Sequence, residues 1–65
     1  QLSIALDKVY PVIILRITSL KGELIQKNKY KNTALLEINL EEPPGVYNVT
    51  IEADSQKANI RLVKD

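Results

Sequence analysis

Residues 46–53 read Val46-Tyr47-Asn48-Val49-Thr50-Ile51-Glu52-Ala53. Tyr47, Val49 and Ile51 alternate with Asn48, Thr50 and Glu52, the period of two that marks a strand with one buried face. The period extends outward on both sides. After the polar turn Asp54-Ser55-Gln56-Lys57, residues 58–63 place Ile60 and Leu62 inward and Arg61 outward. Before it, Glu41-Glu42-Pro43-Pro44-Gly45 interrupts any regular element, because two prolines remove donors and Gly45 invites a turn. Upstream of that break, residues 34–40 put Leu36, Ile38 and Leu40 on one side and Glu37 and Asn39 on the other. The spacing of Leu36 and Leu40 also permits a helix over 33–40, but Ile38 and Asn39 are poor helix formers, and strand is the better reading.

The first half repeats the pattern. Leu2, Ile4 and Leu6 alternate with Ser3, Ala5 and Asp7 as a first strand. Pro11 fixes its own φ and drives Tyr10 to extended backbone, so residues 7–11 read as a break. Residues 12–20 form the longest apolar stretch, with Ile13, Leu15 and Ile17 on one face. Lys21-Gly22 predicts a tight hairpin turn in which Gly22 takes a positive φ. Residues 23–30 return, Lys31-Asn32-Thr33 turns again, and the later strands follow. The expectation is an all-β domain over residues 1–65: about six short strands in an immunoglobulin-like antiparallel sandwich, with a small barrel as the other closed solution.

Composition narrows function more than it defines it. The chain has 65 residues, nine Lys+Arg against eight Asp+Glu, and no His, Cys, Met, Trp or Phe. Without His or Cys there is no usual general base, no thiol nucleophile and no ordinary zinc or haem site. No catalytic residue, cofactor or metal is expected. Ser19 and Lys21 share a strand face in principle, but the turn at Gly22 accounts for them better than a nucleophile–base pair. Glu41-Glu42 and Glu52 with Asp54 read as solvated turn charges, since calcium demands six to eight oxygens in a dedicated loop. Lys27, Lys29 and Lys31 lie on one strand face with Tyr30 opposite. A single-stranded nucleic-acid groove interleaves cations with aromatics on the same face, so the lysines read as protection of an exposed sheet edge and no nucleic-acid partner is expected. Asn48-Val49-Thr50 fits the glycosylation pattern but lies within a strand. No apolar run approaches the roughly 20 residues of a membrane-spanning helix.

The second half as an ordered set is more specific. Leu40, a polar linker, Pro44-Gly45-Val46-Tyr47, alternating Val49 and Ile51, a turn, and the closing Ile60-Arg61-Leu62-Val63-Lys64 together resemble the C-terminal sorting domain of type IX secretion substrates in Bacteroidetes. The alternating Ile13, Leu15 and Ile17, the turn at Gly22 and the pair Leu24-Ile25 agree with the same family. The resemblance implies a secretion address that carries an attached upstream cargo across the outer membrane to the cell surface. Its implied partners are the export machinery and a sortase-like peptidase that removes the domain upstream of Gln1. Gly45, Tyr47, Ile60, Leu62, Val63 and Lys64 are then the recognition residues, with Lys64 free in solvent beyond the last buried position; Gly22, Pro44 and Gly45 are turn residues. The family's Pro-Asn-Pro-like opening would precede these residues, and the resemblance implies about one strand more than the six read here; were that strand absent, a second copy could fill the open edge by strand addition. A fibronectin-like or carbohydrate-binding module of an adhesin or hydrolase is the alternative; it would present Tyr10 and Tyr30 together on one surface.

Overall fold

The computed structural model describes residues 2–65. They form four strands and no helix: β1 (Leu2–Thr18), β2 (Leu24–Ile38), β3 (Gly45–Ala53) and β4 (Gln56–Lys64). All pairings are antiparallel, in the order β2-β1-β3-β4. The expected six strands are therefore four. The missing boundaries did not vanish, however. Both fall inside long strands, where they bend the chain rather than end it.

The register shows how. Leu2 to Ala5 pair with Ile38 to Leu35, and pairing resumes at Tyr10↔Thr33. Residues 6–9 of β1 thus stand against Ala34 alone, a large bulge that re-aims the strand. Pro11 then lies across from Asn32, which takes a positive φ of 51°. A proline offers no donor to the ladder, and Asn tolerates the left-handed region better than most residues. Tyr10 anchors the bulge. Its ring is 8% exposed, its hydroxyl donates to Asp7 Oδ1 at 2.7 Å, and the Lys8 ammonium lies 5.2 Å from its centroid. The bond to Asp7, with burial behind it, holds the Tyr10 phenol above its usual pKa.

Two observations show that the hairpin folds back at this point. Seventeen extended residues would reach about 56 Å, yet the longest dimension of the molecule is 31 Å. Tyr30 Oη also donates to the carbonyl of Glu37 at 2.9 Å. Residues seven apart in a straight strand are separated by about 23 Å, far beyond the reach of a tyrosine.

The fold-back explains a change of phase. In β1 the inward residues are even-numbered up to Tyr10 (Leu2, Ile4, Leu6, Tyr10) and odd-numbered beyond Pro11 (Ile13, Leu15, Ile17). The two segments, with Leu36 and Ile38 from β2 and Tyr47, Val49 and Ile51 from β3, enclose one core. Ile13, Leu15, Ile17, Leu36 and Ile38 are fully buried.

The turns follow their residues. Gly22 has φ 91°, as expected, and its amide donates to the Ser19 carbonyl. Ser19 Oγ accepts from the amides of Lys21 and Glu23, both at 3.2 Å, so that hydroxyl organises the turn. The β3–β4 hairpin turns on two residues, Asp54 and Ser55, with φ 51° and 63°. Two positive φ values in a two-residue loop define the type I′ geometry that suits the strand twist. Ser55 is the strained member. Ser55→Gly should stabilise the domain by about 0.5–1 kcal/mol, after the larger entropy of the unfolded glycine is allowed for, read as a higher urea midpoint at unchanged slope. Tyr30→Phe should cost about 1 kcal/mol, and the loss should concentrate in hydrogen exchange of the folded-back segments.

Candidate functional site

The chain passes from β2, on one side of β1, to β3, on the other, through residues 39–44. This crossover has no ladder partners of its own, so its carbonyls need others. Two side chains supply them. Tyr47 Oη donates to the Pro43 carbonyl at 2.5 Å, and Lys64 Nζ donates to the carbonyls of Leu40, at 2.8 Å, and Glu42, at 2.5 Å. Tyr47 lies near the start of β3 and Lys64 ends β4, paired with Gly45. Both ends of the terminal hairpin's mouth thus grip one six-residue segment. Leu40, 5% exposed, is the apolar plug of that segment and lines a shallow pocket with Leu2, Leu62 and Val63.

The positions expected for Lys64 and Gly45 change accordingly. Lys64 is half-buried and occupied, which corrects the expectation that it stands free in solvent. The reason lies in the alternation. Ala58, Ile60, Leu62 and Lys64 share the inward face of β4, since they pair with Ile51, Val49, Tyr47 and Gly45. A lysine in apolar phase lays its methylene stem along the sheet and carries its ammonium to the nearest acceptors. Gly45 also differs from expectation. Its φ is not positive; the bends fall at Glu42 and Pro44, and Gly45 opens β3. The atoms nearest to a Cβ built there belong to the Tyr47 side chain, at 3.8 Å, an ordinary contact. The small residue lets that ring lie along the backbone and does not reverse the chain.

Ile60 and Leu62 lie inward as expected, but β4 is an edge strand. Ile60 remains 41% exposed and Val63, on the outer face, 62%. Among the described residues, no group of three or more His, Cys, Asp and Glu gathers as a metal site, and no helix is long and apolar enough to cross a membrane. Glu52 pairs with Arg16, and Thr50 Oγ1 donates to Asn59 Oδ1 across the hairpin. Tyr10 and Tyr47 are buried, and Tyr30 is half-buried with its hydroxyl on Glu37. The tyrosine pair that a sugar platform needs is not presented.

These features define a class: a small all-β domain whose last strand fastens the crossover, with the Pro-Gly-Val-Tyr segment and the terminal lysine in a single contact network. The family model described as the secretion system C-terminal sorting domain matches residues 1–65, and the chain belongs to that family. The type IX resemblance, read over nearly the whole chain from Leu2 on, is therefore borne out. No curated protein and no solved structure matches the chain.

Lys64→Met keeps the stem and removes the donor. It should lower stability by about 1–2 kcal/mol, the range of a charged donor on partly exposed carbonyls. Because the acceptors are carbonyls rather than carboxylates, the loss should persist with little change between low and high salt. Urea unfolding at two ionic strengths checks both statements.

Proposed function

We propose that this chain is the address by which an attached cargo protein is exported through the type IX outer-membrane pathway to the cell surface, after which a sortase-like peptidase removes it. It acts as a folded shape and not as an enzyme. Family membership supports the sorting role and an interaction with the secretion machinery. The observation that carries the shape reading is the clasp: Tyr47 and Lys64, both within the segment that resembles the family, are spent on the crossover rather than displayed. A receptor therefore meets the surface those bonds create. The folded-back β1–β2 hairpin lying over β3 and β4 supports a layered, immunoglobulin-like arrangement in which two bent strands do the work of four.

The test fuses a secreted reporter ahead of residues 1–65 in a bacterium with a working type IX system. The intact fusion should reach the surface. Ending the chain at Asn59 removes Lys64 with most of β4 and should leave the reporter in the periplasm; surface delivery without those residues contradicts the reading. Gly45→Ala separates shape from stability. The added methyl fits, so the variant should fold within about 1 kcal/mol of the parent. It should also be exported like the parent, as a receptor reading the assembled surface requires.

A further inference from the structure

The formal charge of the chain is only +1, but the register sorts the charges unevenly. On the outer face of the sheet, Lys27 stands opposite Arg16, Lys29 opposite Ile14, and Lys31 opposite Val12. Ile14 leads on to Glu52 and Lys57, Arg16 to Thr50 and Asn59, and Thr18 to Asn48 and Arg61. Lys27, Lys29, Lys31, Arg16, Lys57 and Arg61 therefore share one face with a single carboxylate among these paired positions, Glu52, which is already bound to Arg16. The three tyrosines belong to the other face or the bulge, so the cations carry no stacking surface among them.

The two outermost strands also differ. β2 is bent at Asn32, faces a bulge and bears three lysines, devices that discourage further pairing. β4 pairs without interruption from Gln56 to Lys64, has no proline, and is exposed at every residue from 56 to 61. In an antiparallel ladder only alternate residues bond to a given neighbour, so half of the β4 backbone groups face the open edge. Beside that edge, Lys57 and Arg61 lie four apart on the outer face, and Ala58 and Ile60 are exposed on the inner one.

We propose that β4 accepts, by strand addition, an extended acidic segment of a partner protein. Its carboxylates would alternate over Lys57 and Arg61, and its apolar residues would cover Ile60. A second copy fits poorly. Antiparallel pairing centred on Asn59 sets Lys57 of one copy opposite Arg61 of the other, and centring on Ile60 makes Arg61 diagonal to both of those cations. Pairing β4 with β2 brings the lysine row against the same charges. Like charges at these positions destabilise a sheet. The proposal rests on the sorting reading only for where the partner is met, namely the export machinery.

The experiment uses the full chain behind a folded carrier, 15N-labelled, with a peptide alternating valine and glutamate as the probe and its valine–lysine counterpart as the control. The glutamate peptide should shift and protect β4 amides, and the lysine peptide should not. Lys57→Glu with Arg61→Glu should weaken that binding by about ten-fold or more and lower reporter export in parallel; the Gln pair serves if the Glu pair disturbs folding. Equal response to both peptides, none to either, or protection mapped to β2 overturns the proposal. So does occupation of β4 by anionic vesicles or single-stranded DNA in preference to the peptide, or unchanged export by the charge-reversed chain. If the peptide result fails while the unaltered fusion is exported, strand addition falls and the sorting reading stands. Failure of the unaltered fusion to be exported sinks the sorting reading, and the peptide result then decides the edge alone.

Discussion

The crossover over residues 39–44 must carry the chain past β1 without a ladder of its own, and the ammonium of Lys64 is what closes it. The bonds from Lys64 to the carbonyls of Leu40 and Glu42 join the end of the last strand to the exit of the second. With the Tyr47 hydroxyl on Pro43, they hold Leu40 in the core and set the entry of β3. A chain of this size buries only about 60% of its unfolded surface and has no disulfide to assist. A contact that ties together segments more than twenty residues apart therefore matters more than its individual strength suggests.

This has a consequence for a sorting signal. The clasp forms only when β4 is in place, and β4 is the last element of the described chain. The arrangement of the crossover, the mouth of the terminal hairpin and the outer face all depend on it. On the proposed shape reading, a receptor would respond to β4 through the surface that β4 organises, without contacting Lys64 directly. Residues that carry a family pattern can in this way be needed for recognition while facing inward.

Much of this was legible in the residues. The alternation of Tyr47, Val49 and Ile51, of Ile13, Leu15 and Ile17, and of Leu36, Ile38 and Leu40 placed the core on the correct side of each strand. Gly22 and the stretch Asp54-Ser55-Gln56-Lys57 marked the hairpin turns, although Gln56 and Lys57 already pair as the start of β4. The breaks at Pro11 and at Asn32 were also located, but a break in periodicity looks the same whether a strand ends or bends. Only the pairing of the two irregularities across one hairpin, with residues 6–9 opposite Ala34, tells them apart. The phase change from even to odd inward residues along residues 2–17 was the available sign that one strand crosses between two walls of a core.

The site was less legible for a related reason. Lys64 reads as a solvated terminal charge when judged by residue type. Judged by phase, it continues the series Ala58, Ile60 and Leu62 and belongs inward. Its acceptors are backbone carbonyls, which leave no mark in a sequence. The positive outer face was equally concealed, because Lys27, Lys29 and Lys31 meet Arg16, Lys57 and Arg61 only once the strand order β2-β1-β3-β4 is known.

The most direct measurement of the clasp is NMR of the Lys64 ammonium itself in the 15N- and 13C-labelled chain. If Lys64 closes the crossover, its Nζ protons will exchange with water more slowly than those of the exposed Lys27 and Lys29, and will show through-hydrogen-bond coupling to the carbonyl carbons of Leu40 and Glu42. An ammonium that exchanges as fast as the exposed lysines, with no coupling to either carbonyl, would contradict the account.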